Sequence, residues 1–182
     1  MLSGMLYSML SLHGCAFFKY NTGRMTAEIR FLLQRVQPAL TGLMDGSLST
    51  LAPLFAAALA THQTHVAFVV GVATAVGAAI SMGYSEGLSD TGELTGRGNP
   101  VTRGAITGAA TFVGGILHAL PFLLPNFHTA LAAAAAVVAL ELVAIGWVRH
   151  RFFRRHFAVS VLHVTLGGAV IVGSGIVLGG LA

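Results

Sequence analysis

Only six of the 182 residues are acidic, and three of them, Asp45, Glu86 and Glu141, lie within or at the end of long apolar stretches. An acidic residue at the centre of a membrane helix costs about 2.5–3.5 kcal/mol on the insertion scale, and less near an end, so each position asks for a function or a partner. Met82 stands four residues before Glu86, and on a helix that spacing places a thioether and a carboxylate on one face. Carboxylates take divalent cations, while a thioether tilts a site from Mg2+ or Ca2+ toward transition metals such as Fe2+ or Mn2+. Asp90 and Glu93 follow, and a helix continuing past Gly87 would carry Glu86, Asp90 and Glu93 as an acidic ladder at its mouth. Each residue alone also has a plainer use. Met82 could pack, Glu86 could reach the interface, and Glu141 could pair with His163 or a hydroxyl.

The elements that must position these groups are apolar helices. The chain is 55% hydrophobic and 9% charged, with a mean hydropathy of +0.80, against about 25% charged for soluble domains. So few charges cannot cover a water-exposed surface, which excludes a soluble globular protein, a disordered chain and a collagen. The net charge of +4 does not indicate a nucleic-acid partner, because the basic residues sit in short clusters between apolar runs. A span needs about 20 apolar residues, and five stretches qualify, at about 38–60, 65–87, 104–124, 127–148 and 158–181. The expected fold is an all-α integral membrane protein with five transmembrane helices.

Lys19, Arg24, Arg30 and Arg35 precede the first stretch, Arg97 and Arg103 separate the second from the third, and Arg149, Arg151, Arg154 and Arg155 separate the fourth from the fifth. All ten basic residues therefore fall on one side. This predicts a cytoplasmic N-terminus and an external C-terminus. Asp45 and Glu141 then lie about 10 and 12 Å from the cytoplasmic face, at 1.5 Å per residue.

Residues 1–35 form a separate N-terminal segment in this reading, ahead of a five-helix domain over 36–182. Met1 to Phe18 lacks the basic start and cleavage site of a signal peptide. A sixth span, an interfacial helix and translation from an upstream start codon stand open for it. Thr26 to Val36 reads as an amphipathic interfacial helix. Gly pairs four apart, Gly42/Gly46, Gly83/Gly87, Gly104/Gly108 and Gly175/Gly179, are expected to mark close helix packing, and Pro53 a kink. His62, His65 and His128 at the outer ends read as solvated loop residues, with exit ligands or proton carriers as the alternative, and His118, within the third span, as a group needing a polar partner or water, for structure or for transport. Lone Cys15 forms no intrachain disulfide. Ser174 and His163 are eleven residues apart on one helix, about 16 Å, too far for a catalytic pair, and no cofactor motif is present. No enzymatic activity is expected.

Met44-Asp45-Gly46, Ala79-Ile80-Ser81-Met82-Gly83 with Glu86, and Gly114-Gly115 leading to Leu120-Pro121-Phe122-Leu123-Leu124-Pro125 together resemble the vacuolar iron transporter family. The stretch from Gln37-Pro38 through Leu43-Met44-Asp45-Gly46-Ser47-Leu48-Ser49-Thr50-Leu51-Ala52-Pro53 is similar in particular to the membrane half of bacterial membrane-bound ferritin-type iron exporters. The resemblance implies a five-helix protomer, a homodimer with the path between subunits, and proton-coupled export of Fe2+ or Mn2+ as substrate, with no resident cofactor. Asp45, Met82 and Glu86 match the family's transport positions, and Glu141 joins them in the expected metal set. A buried carboxylate prefers to be neutral, so proton and cation compete for it, the physical basis of antiport. Only Gly87 to Arg103 stands where vacuolar members carry a Glu-rich insert, and no ferritin-like domain is seen. This raises a separate ferritin-like protein as a partner, and a non-transporting membrane subunit as the alternative function. The expected setting is a bacterial inner membrane.

Overall fold

The computed structural model describes residues 27–153 and 156–181, and all regular structure among them is helical. Met1 to Phe18, including Cys15, and Lys19, Arg24, Arg154 and Arg155, for which the sequence sets expectations, lie outside the described residues. Five helices are long and apolar enough to cross a membrane. They are α1 (Ala27–Thr61), α2 (Thr64–Ser89), α3 (Pro100–Ala119), α4 (Phe127–Phe153) and α5 (Phe157–Gly180). The amphipathic stretch is helical, but it does not stop before the first span. It runs into it through one π-helical turn, Leu32–Val36, so that helix crosses the expected boundary at residue 35. Pro53 sits inside α1, where its missing N–H removes one backbone bond.

Local sequence sets the helix ends. His62 takes a left-handed conformation (φ 53°) and donates its N–H to Ala58 O at 2.9 Å, closing α1. Asn99 caps α3 by accepting from Thr102 N at 3.1 Å, with Pro100 in the first turn. Asn126 does the same for α4, accepting from Thr129 N at 3.0 Å. Both follow the preference for Asn at N-caps. The α2–α3 connection turns on Gly92, Gly96 and Gly98, all with φ between 68° and 79°, a region that suits glycine.

Packing centres on α1, which lies against α2, α3 and α5, while α2 also packs on α3 and α4 on α5. The glycine pairs bring these backbones together. Gly42 and Gly46 face the carbonyls of Thr107 and Thr111 on α3; Gly83 and Gly87 meet Gly104 and Gly108 across α2 and α3; Gly175 and Gly179 lie on Ala52 and Ala56 of α1. One apolar core, around Leu51, Leu54, Phe55 and Phe122, fills the end near His62, and a smaller one, with Leu40, Leu142, Ile145 and Val164, lies nearer the basic end. Ends are identified by contacts. Gln34 Nε2 donates to Gly96 O at 3.1 Å, and Arg151 shares a cavity wall with Glu28 and Leu32, so the described arginines gather at one end of the bundle. His62 and Phe127 meet at the other, their rings tilted by 47° with centroids 5.0 Å apart.

Candidate metal path

Asp45 lies mid-way along α1, half-buried, and no described residue hydrogen-bonds its carboxylate. It belongs to a row at four-residue spacing, Thr41, Asp45, Ser49 and Pro53, of which the other three are exposed. A second such row runs along α2 through Ala73, Gly77, Ser81, Ser85 and Ser89, all exposed. The neighbouring row on α2, Val76, Ile80, Tyr84 and Leu88, is also exposed but bulky and mainly apolar. The bulky row suits lipid. The small, polar row suits the backbone of another helix. Met82 is half-buried beside the small row.

Glu86 does not stand at the head of an acidic ladder. α2 ends at Ser89, and Asp90 turns into extended backbone. Glu93 is exposed. Glu86 and Asp90 are instead held by two arginines. Glu86 Oε1 accepts from Arg97 Nη2 at 2.6 Å and from Arg103 Nε at 2.8 Å, while Asp90 accepts from Arg97 Nη1 at 3.2 Å and Arg103 Nη1 at 3.3 Å. Arg103 is 1% exposed and also donates to the Gly98, Glu86 and Asp90 carbonyls and to Ser89 Oγ. Desolvation pushes the Asp90 carboxyl upward. The Gly92 N–H, the Thr95 hydroxyl and the two guanidinium groups outweigh it and hold the group below its ordinary value. Both arginines entered the sequence reading only as markers of topology. The signal that could have assigned them is the match of two acids and two bases around a Gly-rich turn.

Glu141 is likewise occupied. It is 7% exposed on α4, accepts from Ser47 Oγ of α1 at 2.7 Å through Oε1, and lies against His118 Nε2 of α3 through Oε2. The expected alternative of a hydroxyl partner is therefore met by Ser47, whereas His163 contacts Val159 O of its own helix at 2.7 Å. His118 finds the polar partner its depth required, and its Nδ1 stays buried without one.

The four expected metal residues thus do not converge within one protomer. Among the described residues no three His, Cys, Asp or Glu side chains come together as a metal-holding group, including His62, His65 and His128. Glu86 and Glu141 have their partners within the protomer, whereas half-buried Asp45 and the small row beside Met82 lie on outward rows.

A sequence model of the VIT family matches residues 86–180. The chain belongs to the VIT family. The match begins at Glu86, takes in Arg97, Arg103, His118 and Glu141, and leaves Asp45 and Met82 outside it. No curated protein and no solved structure matches the chain. Membership of the VIT family, with five span-length helices, makes this an integral membrane protein and suggests membrane transport of iron or manganese.

Proposed function

We propose that two copies of this chain form a transporter that exports Fe2+ or Mn2+ from the cytosol in exchange for protons, along a path between the copies. The observation that carries the reading is Asp45, a carboxylate mid-way along an apolar helix, on an outward row, with no hydrogen-bonding partner among the described residues. Facing lipid, such a group is costly, and facing a second copy it gains polar neighbours and a cation to bind. Two-fold pairing would bring two Asp45 carboxylates and two Met82 thioethers toward one axis, the donor set that favours a transition metal over Mg2+. The small row of α2 offers a surface for close approach.

In this reading the basic end is cytoplasmic, in a bacterial inner membrane. Glu86 lies at that mouth with Oε2 free of arginine. Asp45 alternates between proton and metal. Glu141, enclosed by Ser47 and His118, anchors α4 to α1 and α3 instead of touching the metal. A separate ferritin-like protein would supply metal from the cytosolic side.

The test is flux of Fe2+ and Mn2+ in proteoliposomes under an imposed pH gradient, comparing wild type with Asp45→Asn and Met82→Ala. Gradient-driven flux that disappears in Asp45→Asn supports the path. Flux that persists in Asp45→Asn removes Asp45 from it, and a well-folded wild type that moves no metal favours the accessory-subunit alternative.

A further inference from the structure

The described arginines fall into two groups. Arg97 and Arg103 are matched by Glu86 and Asp90, whereas Arg30, Arg35, Arg149 and Arg151 form no ion pair among the described residues. Glu28 is the one described carboxylate beside them, so this corner of the basic end keeps a net positive charge.

That corner adjoins an apolar trough. A groove of about 680 Å3, almost without polar lining, runs along α1 and α3, with Arg35 and Phe31 at one end and Leu43, Ala109, Val113 and Val148 along it. Phe31 also lines a second, more polar cavity of about 590 Å3 that contains Arg151 and Phe152. An apolar channel along the span therefore opens, at the basic end of the bundle, onto unpaired guanidinium groups.

We infer that this groove is a site for one anionic phospholipid, with an acyl chain along α1 and α3 and its phosphate at Arg35 and Arg151. Charge decides the occupant. An apolar partner helix would fill the trough and leave the arginines unmatched, and a zwitterionic lipid would bring a cationic headgroup back toward them. A phosphate carrying net negative charge satisfies them with bidentate hydrogen bonds, and basic pockets between membrane helices on the cytoplasmic side are suited to such headgroups.

Native mass spectrometry of the full chain, equilibrated with equal amounts of phosphatidylglycerol and phosphatidylcholine, tests the site. Wild type should retain phosphatidylglycerol preferentially, and each of Arg35→Gln and Arg151→Gln should lower that preference by about fivefold. Ala109→Trp, at an exposed position, fills the trough with the arginines intact and should also lose the preference, which keeps the test decisive if an arginine variant fails to fold. Equal retention of the two lipids by wild type, or a preference that survives these substitutions, overturns the proposal.

Discussion

Arg103 reaches Glu86 across 2.8 Å while remaining 1% exposed, and it is the most enclosed charge described in the protein. Its remaining donors go to the Gly98, Glu86 and Asp90 carbonyls, Ser89 Oγ and the Asp90 carboxylate, so one side chain joins the end of α2, the glycine turn and the start of α3. Without Arg103, Glu86 and Asp90 keep Arg97, but the Gly98, Glu86 and Asp90 carbonyls lose their buried donor, a penalty of about 1–3 kcal/mol. Arg103→Ala should lose that much. Arg97→Ala, at a side chain 21% exposed, should lose about 1 kcal/mol or less. Unfolding in mixed micelles, followed by fluorescence of the single tryptophan, Trp147, measures both, and equal losses would contradict the role given to burial.

The same cluster predicts a pH dependence. Asp90 is held below its ordinary value of 3.8 in the folded protein. A carboxyl depressed by folding stabilises the fold above its unfolded pKa, and that contribution declines as pH falls through the folded value. The stability difference between wild type and Asp90→Asn should therefore be constant from neutral pH down to about pH 5 and shrink below 3.8. The same unfolding titration repeated in acid buffers gives the curve. A difference that grows on acidification would mean that Asp90 titrates in the opposite sense.

How far the sequence could be read depended on whether the signal was local or between helices. Span-length apolar runs and Gly pairs four apart are local, and α2 to α5 and all four Gly contacts appear where they were expected. The acidic ladder failed because Asp90 leaves the helix in extended backbone and the turn that follows runs through Gly92, Gly96 and Gly98 at positive φ. The partners of Glu86 and Glu141 were illegible for another reason. Arg103 and His118 lie 17 and 23 positions away from them, and only packing of α2, α3 and α4 decides that they meet. Asp45 was the converse case, flagged by its depth and by the family resemblance, and its carboxylate has no hydrogen-bonding partner among the described residues.

Two glycines separate folding from association. A Cβ on Gly46 would run into the Thr111 carbonyl on α3, and backbone cannot yield as a side-chain tip can. Gly46→Ala should destabilise by about 1–3 kcal/mol or more. Gly77, on the small exposed row of α2, has nothing within 4 Å of such a Cβ. Gly77→Trp should keep the protomer within about 0.5 kcal/mol of wild type and still dissociate the proposed dimer. Mass photometry in nanodiscs reads the second outcome, and a Gly77→Trp dimer as abundant as wild type would place the interface elsewhere.

Glu141 and Asp45 should behave as opposites. Ser47 Oγ also lies 2.6 Å from Leu43 O, an acceptor to which its single proton can turn when Glu141 is removed, but the buried His118 has no other described polar contact and would be orphaned. Glu141→Ala should cost about 1–3 kcal/mol, the penalty for an unsatisfied buried polar group, and Glu141→Gln less, since an amide of similar shape still meets Ser47 and His118. If Glu141 anchors helices and does not touch metal, proteoliposomes of Glu141→Gln should retain gradient-driven Mn2+ flux. Asp45→Asn, which breaks no described contact of the carboxylate, should lose flux while unfolding at the same denaturant concentration as wild type. Flux abolished in Glu141→Gln at undiminished stability would return Glu141 to the metal path and make its contacts with Ser47 and His118 one of two alternating arrangements.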